Sequence, residues 1–283
     1  MSHVRRQRQE RAATYNQSQL GLYMKILISN DDGYQAPGIV ALFEALKDVA
    51  DVEVIAPEQN NSAKSNALTL HSPLYVNRAS NGFRYINGTP ADCVHIALTG
   101  LLGYRPDLVV SGINNGANMG DDTIYSGTVG AAMEGYLFGI PAMAFSQVEK
   151  NWGHLEAAAL KARELVLQMS QQHLIGSSAW LLNINIPNLP SDQLGHVKLC
   201  RLGRRHAAEP VITQLSPRGD TMYWIGAAGA SKDDADGTDF HATTHGHISM
   251  TPLKVDLTDH ERLGYWAQTA ARLSDTELAA AQT

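Results

Sequence analysis

Two adjacent carboxylates, Asp31 and Asp32, follow the first apolar run of the chain, Lys25–Ser29. Neighbouring carboxylates repel each other unless a cation lies between them. In a turn, which Gly33 permits, both side chains can reach one ion. The alternative is a solvated turn in which an Asp caps the next helix, and the dipeptide alone leaves both interpretations open.

Further oxygen donors follow two other predicted strands. Ser62 lies in the loop after residues 52–56, and Asn114 comes just after residues 108–111. In an open parallel sheet, ligands bind beyond the carboxyl ends of the strands, so these side chains are expected beside the two carboxylates. Carboxylate, hydroxyl and amide oxygens suit Mg²⁺ or Mn²⁺ rather than Zn²⁺ or copper. Each residue alone is more typical of an ordinary loop, and their shared location is what favours a metal site.

A glycine-rich segment leads to a candidate phosphate site. Ser126-Gly127-Thr128 precedes a predicted helix, and four further glycines occur within residues 112–130. Free backbone N–H groups at a helix start, with two hydroxyls, favour an anion such as phosphate. We also expect Asn115, beside Asn114, to contact the phosphate. The alternative is an ordinary Ser/Thr N-cap, and neither a dinucleotide fingerprint nor a P-loop is present.

Two other motifs are weaker candidates. Ser126 precedes a helix as a hydrolase nucleophile does, but Ile124 replaces the glycine that such a turn requires. His241, His245 and His247 have a spacing that could bind a metal. We interpret that segment as a loop leading into a strand, and a His-rich hairpin needs no metal.

Apolar runs and helical patterns alternate along the first two thirds of the chain. Strands are predicted at 25–29, 52–56, 108–111, 142–146 and 180–186, and helices at 38–50, 90–102, 128–138 and 154–169. This alternation predicts an α/β fold with a mostly parallel sheet and helices on both faces.

The pattern changes after Pro190. Strands are predicted at 197–201, 221–225 and 247–251, with loops rich in Pro, Gly and Asp between them. We therefore predict a core at 24–190, a β-rich extension at 191–257 and a C-terminal helix at 258–283.

Composition excludes several classes of protein. The 283 residues carry 44% hydrophobic side chains and a net charge of −6, so a folded protein is expected and a stable nucleic-acid partner is not. Two cysteines exclude a disulfide scaffold, and no apolar run is long enough for a membrane span. Residues 1–23 are rich in Arg and lack a secretory core, so we predict a disordered extension and a cytoplasmic protein.

Ten stretches together resemble the SurE family, the survival-protein 5′/3′-nucleotidases. They are Ile28–Gly33, Ala36–Ile39, Val54–Pro57, Gly88–Cys93, Pro106–Asn114, Asn118–Asp122, Tyr125–Thr128, Ala131–Gly135, Gly237–Phe240 and Ile248–Leu253. The resemblance spans about 235 residues from Met24 to Thr258, and so many motifs in one order make it specific.

The resemblance implies a metal-dependent phosphatase with a Rossmann-like fold of the predicted α/β class. Such an enzyme acts on nucleoside monophosphates and could also cleave polyphosphate. The resemblance carries the metal ligands over to Asp31, Asp32, Ser62 and Asn114, and the phosphate loop to Ser126, Gly127 and Thr128. It also implies a homo-dimer or tetramer that exchanges a β-hairpin and a C-terminal segment. One position departs from the family, which usually has Gly where Ala63 stands; if that Gly has a positive φ, Ala63 strains the loop.

The resulting hypothesis is hydrolysis of 5′- and 3′-monophosphates with one Mg²⁺ or Mn²⁺ per subunit. Asp31 and Asp32 are also the catalytic candidates, because either could orient the attacking water or accept its proton. The main alternative is a regulatory module that binds a nucleotide without turnover. A haloacid-dehalogenase-type phosphatase would need the pattern D-x-D, and a serine esterase would need Ser126 as nucleophile.

Overall fold

The computed structural model describes residues 24–176, 178–205, 209–226 and 229–280, with side chains to residue 273. The extension predicted at residues 1–23 lies outside the described residues. The chain divides into two compact units, one ending at Leu253 and the other running over Lys254–Thr283. None of the described helices has the length and apolar character needed to span a membrane.

The first unit alternates strands and helices as predicted. Its strands are β1 (Lys25–Ser29), β2 (Asp51–Pro57), β3 (Val76–Arg78), β4 (Arg84–Ile86), β5 (Leu108–Asn115), β6 (Ala142–Gln147), β7 (Leu181–Ile186), β8 (Val197–Leu199), β9 (Arg204–Arg205), β10 (Ile212–Leu215), β11 (Thr221–Trp224), β12 (Ser231–Asp233) and β13 (Ile248–Pro252). Its helices are α1 (Pro37–Leu46), α2 (Pro90–Ile96), α3 (Gly127–Leu137), α4 (Leu155–Gln171) and α5 (Asp239–Thr244). The second unit contains α6 (Leu263–Ala280).

The central sheet of the described chain has nine strands in the order β3-β4-β2-β1-β5-β6-β7-β13-β8. Its pairs are parallel except β3 with β4 and β13 with β7. From β1 the chain passes to β2 on one side and later returns to β5 on the other side. The crevice between the carboxyl ends of β1 and β5 is therefore the topological switch point, where α/β sheets bind their ligands. The predicted fold class is confirmed.

Helices cover the sheet on both faces because alternate strand residues point to opposite sides. Ile26 and Ile28 of β1 share one buried cluster with Leu42 of α1 and Leu165 of α4. Leu27, between them, is equally buried but lies outside that cluster. On the other face, α2 and α3 pack against each other.

Two details of the structure differ from the prediction. The helix predicted at 90–102 is α2 followed by a π-helical turn, Ala97–Leu101. The exposed strand β3 and its neighbour β4 were missed, since three residues are too short for a periodic pattern. The β-rich region predicted after Pro190 contributes β13 and β8 to the central sheet, and Ile248 is buried in the core of that sheet. The hairpin β10–β11 and the pair β9–β12 do lie outside that sheet.

Candidate active site

A cavity of about 440 Å³ lies at the switch point. Six of the eight predicted site residues line it, namely Asp31, Asp32, Ser62, Asn114, Asn115 and Ser126. Gly127 and Thr128 are not part of its lining but are buried just behind it. Three separate strand ends thus contribute side chains to one cavity, as the sequence predicted.

Asp31 is the most buried of the candidate metal ligands, with 4% of its surface exposed. Its Oδ1 accepts a hydrogen bond of 2.5 Å from the hydroxyl of Thr128 in α3. Burial raises the pKa of Asp31 to about 6, and the charge of Asp32 adds to this, while hydrogen bonds from Thr128 oppose it. A buried carboxylate beside a second one is a group that a cation stabilises.

Asp32 is half-buried, and two hydrogen-bond donors hold its carboxylate in place. Its Oδ1 accepts a 3.2 Å hydrogen bond from the side-chain amide of Asn60, and its Oδ2 accepts one of 3.2 Å from the backbone N–H of Asn115. Burial raises the pKa of Asp32, against the effect of these hydrogen bonds and of the charge on Lys150. Both carboxylates are therefore oriented by the protein before any ligand arrives.

Hydrogen bonds also orient the two uncharged candidate ligands, Ser62 and Asn114. Ser62 donates from its hydroxyl to Asn60 Oδ1 at 2.7 Å, and its backbone N–H donates to the same oxygen at 2.9 Å. The side-chain nitrogen of Asn114 donates to the Gly116 carbonyl at 2.9 Å. Because the nitrogen is used in this way, the carbonyl oxygen of Asn114 is the atom that remains for a ligand.

The lining chemistry fits a hard divalent cation. Four carboxylates and one ammonium line the cavity: Asp31, Asp32, Asp122, Glu149 and Lys150. A phosphate dianion entering this excess of negative charge would be repelled unless a cation were bound there. In the described part of the chain, no three His, Cys, Asp or Glu side chains are grouped closely enough to hold a metal. Two carboxylates, completed by hydroxyl and amide oxygens, match Mg²⁺ or Mn²⁺ better than Zn²⁺.

The start of α3 provides the candidate phosphate cradle. Ser126 is the N-cap, and its Oγ accepts a 3.1 Å hydrogen bond from the N–H of Val129. At Gly127, a Cβ would lie 2.7 Å from Asp31 Cβ, so only glycine lets the helix start approach the carboxylate this closely. The first N–H groups of a helix lack intrahelical partners and attract anions.

Several lining residues were not predicted from the sequence. They are Ala63, Gly116, Ala117, Asn118, Asp122, Tyr125, Glu149 and Lys150. Lys150 and Glu149 follow the carboxyl end of β6, so the strand-end rule applied to a fourth strand would have found them. Ala63 has φ +62°, the left-handed conformation in which a side chain is strained.

The interpretation of the histidine segment as a loop leading into a strand was wrong for His241, whereas His245 and His247 do lie in the loop between α5 and β13. His241 lies in α5, whose N-cap Thr238 accepts a 3.1 Å hydrogen bond from the N–H of His241. The rings of His241 and His245 lie 4.1 Å apart. Thr is a residue type that favours the N-cap position, and an Asp follows it in the first turn. These two residues, Thr238 and Asp239, were the sequence signal for a helix start.

Comparison with known proteins gives one consistent result. A family model described as Survival protein SurE matches residues 26–209. A relative from Albidiferax ferrireducens, named 5′-nucleotidase SurE, is 85% identical over 89% of this chain and 99% of its own length. A relative of the same name from Polaromonas naphthalenivorans is 74% identical, again over 89% and 99%. The crystal structure of SurE protein from Aquifex aeolicus superimposes with a TM-score of 0.75 at 40% identity, covering 85% of this chain and 97% of that one.

Proposed function

The chain belongs to the SurE family, and from this premise we propose that it is a divalent-metal-dependent 5′-nucleotidase. The reaction is hydrolysis of a nucleoside monophosphate to a nucleoside and phosphate, with 3′-monophosphates and polyphosphate as further substrates. The names of its relatives support the class of reaction. The observation that carries the proposal is the meeting of Asp31, Asp32, Ser62 and Asn114 in one cavity beside the start of α3.

In the proposed site these four residues hold one Mg²⁺ or Mn²⁺ through their oxygen atoms. The bound ion would activate a water molecule and neutralise the charge that develops on the phosphoryl group. Asn60 keeps Asp32 and Ser62 in place through its two hydrogen-bonding ends. Thr128 keeps Asp31 in place through the hydrogen bond from its hydroxyl.

The phosphate is held by groups of the chain itself. The first N–H groups of α3, the hydroxyl of Ser126 and the side chain of Asn115 surround the anion in our proposal. Such preoriented donors stabilise charge in the transition state without the reorganisation that water requires. Asp31 or Asp32 orients the attacking water, and the more exposed Asp32 is the better placed to pass its proton to solvent.

The proposed function is tested with purified protein and a panel of 5′- and 3′-nucleoside monophosphates, sugar phosphates and inorganic polyphosphate. We expect release of phosphate from the nucleoside monophosphates with Mn²⁺ or Mg²⁺, its loss in EDTA and its recovery when Mn²⁺ is added back. Binding of nucleotides without turnover, with or without metal, would instead support a regulatory module.

We also propose a cytoplasmic homo-oligomer that associates through the β10–β11 hairpin. The apolar side chains of this hairpin are exposed to solvent in the single chain, with Leu215 at 70%, Tyr223 at 68% and Trp224 at 57%. Exposed patches of this kind are typical of protein–protein contacts. Light scattering of the purified protein would distinguish a dimer or tetramer from a monomer.

A further inference from the structure

The loop that follows β6 is held in an unfavourable backbone conformation. Glu149, Asn151 and Trp152 have φ values of +69°, +87° and +56°. The left-handed region costs a residue with a side chain roughly 1–2 kcal/mol. Three such residues within four positions persist only where the surrounding structure fixes them.

Contacts of the residues that directly follow Lys150 fix this loop. The backbone N–H of Asn151 donates to Asn115 Oδ1 at 3.0 Å. Trp152 packs against the hydrophobic core, and its ring lies so close to Gly38 that a Cβ there would be 2.6 Å from the ring. His154 N–H donates to the side chain of Asn188 at 2.9 Å. The backbone that follows Lys150 is therefore anchored to β5, to α1 and to the loop after β7.

Lys150 is the cationic side chain of the cavity lining. Its charge lies close enough to Asp32 to act on that carboxylate. The other charged lining groups are carboxylates, and Asp122 is already paired with Arg205. Among the described residues, Lys150 forms no salt bridge within 4 Å. An exposed ammonium beside a catalytic cavity, on an anchored strained loop, is available for an anionic ligand.

We propose that Lys150 binds the phosphate of the substrate and so determines the affinity of the site for phosphomonoesters. This assignment rests on the proposed function and adds to it a residue outside the metal ligands and the start of α3. An ammonium acts as a point charge on phosphate, so its contribution is electrostatic and weakens as salt screens it.

The test compares Lys150→Gln, Lys150→Arg and wild type. A matched control is Lys161→Gln, which removes the same charge from α4, where Lys161 pairs with Glu164. We expect Lys150→Gln to raise KM for a nucleoside 5′-monophosphate about tenfold, equivalent to roughly 1.4 kcal/mol, and to change kcat less than twofold. The inhibition constant of inorganic phosphate should rise by the same factor. Lys150→Arg should recover most of the affinity, and Lys161→Gln should match wild type.

Two results would overturn the assignment. One is a KM and a phosphate inhibition constant within twofold of wild type for Lys150→Gln at low salt. The other is a fall in kcat with both constants unchanged, which would place the effect on the reaction rather than on binding. If wild type shows no turnover at all, the proposed function fails, and calorimetric titration of inorganic phosphate into the Mn²⁺-loaded wild type and Lys150→Gln still decides whether Lys150 binds phosphate.

Discussion

The Thr128 hydroxyl donates a 2.5 Å hydrogen bond to the carboxylate of Asp31, across 97 positions of sequence. Both side chains are buried. The bond joins the end of β1, which is followed by two of the candidate metal ligands, to the first turn of α3, which carries the candidate phosphate cradle. The proposed metal and phosphate sites are therefore linked by a direct hydrogen bond. A substitution in one site should affect the other.

Replacing Thr128 by Val removes the hydroxyl with little change of shape. We expect a fall of about 1–3 kcal/mol in the free energy of unfolding, because buried Asp31 loses its hydrogen-bond partner. We also expect kcat/KM to fall about tenfold, since Asp31 is no longer held in one rotamer. Denaturant titration and steady-state kinetics measure the two effects. Thr128→Ser keeps the hydroxyl and should retain most of both, and equal losses in the two variants would contradict this role.

Replacing Asp31 by Asn removes a negative charge from the proposed metal site. We expect activity at saturating Mn²⁺ to fall at least about 100-fold, the scale on which loss of an electrostatic stabilising group acts. Circular dichroism should show an unchanged fold, because Asn has nearly the same shape as Asp. The control Asp48→Asn removes the same charge from an exposed position outside the cavity. Near-normal turnover of Asp31→Asn would refute the role of Asp31.

Metal affinity should depend on pH through Asp31, whose pKa in the metal-free protein is raised to about 6. A proton and a cation compete for this carboxylate, so affinity for Mn²⁺ should be nearly constant above pH 7. Below pH 6 it should weaken about tenfold per pH unit as Asp31 becomes protonated. Calorimetric titration between pH 5 and 8 measures this, and a dissociation constant independent of pH would contradict it.

The same pKa predicts the opposite trend for stability without metal. Folding raises the pKa of Asp31 above its ordinary value of 3.8, so the folded protein binds more protons than the unfolded chain between pH 3.8 and about 6. The contribution of Asp31 to stability is therefore present below this window and lost as pH rises through it. Unfolding titrations in EDTA, with Asp31→Asn as the comparison, isolate this contribution. A contribution that grows with rising pH would be the contrary result.

A methyl group at Gly127 should disturb the junction between the two proposed sites. The Cβ of Gly127→Ala would lie 2.7 Å from Asp31 Cβ and 3.1 Å from the ring of Pro90. Overpacking of this kind costs about 1–3 kcal/mol, and we expect activity to fall with the displaced carboxylate. Gly103→Ala is the matched control, because nothing lies within 4 Å of its added Cβ. Wild-type activity in Gly127→Ala would show that the helix start need not approach Asp31.

Much of the architecture could be predicted because its signals are local. The apolar runs of β1, β5 and β6 are buried on both faces, and such runs identify parallel strands without any tertiary information. Because the carboxyl ends of parallel strands share one edge of the sheet, Asp31, Asp32 and Asn114 could be predicted to lie close together. What escaped prediction depends on long-range packing, which no local pattern encodes.

Three residues illustrate that limit. The hydrogen bond from the Thr128 hydroxyl to Asp31, a partner distant in sequence, was not predicted. Lys150 lines the cavity from a loop whose Trp152 packs against the hydrophobic core, a contact that the sequence does not reveal. Ile248 belongs to the segment predicted as a β-rich extension, yet it is buried in the central core, in strand β13, which pairs with β7 and β8.

The most direct measurement is anomalous diffraction from a crystal of the protein containing Mn²⁺. We predict one anomalous peak within about 2.5 Å of side-chain oxygen atoms of Asp31, Asp32, Ser62 and Asn114. The same crystal of Asp31→Asn should show that peak weakened or absent. A strong peak elsewhere, with these four side chains bound to no ion, would contradict the proposal that they hold the metal.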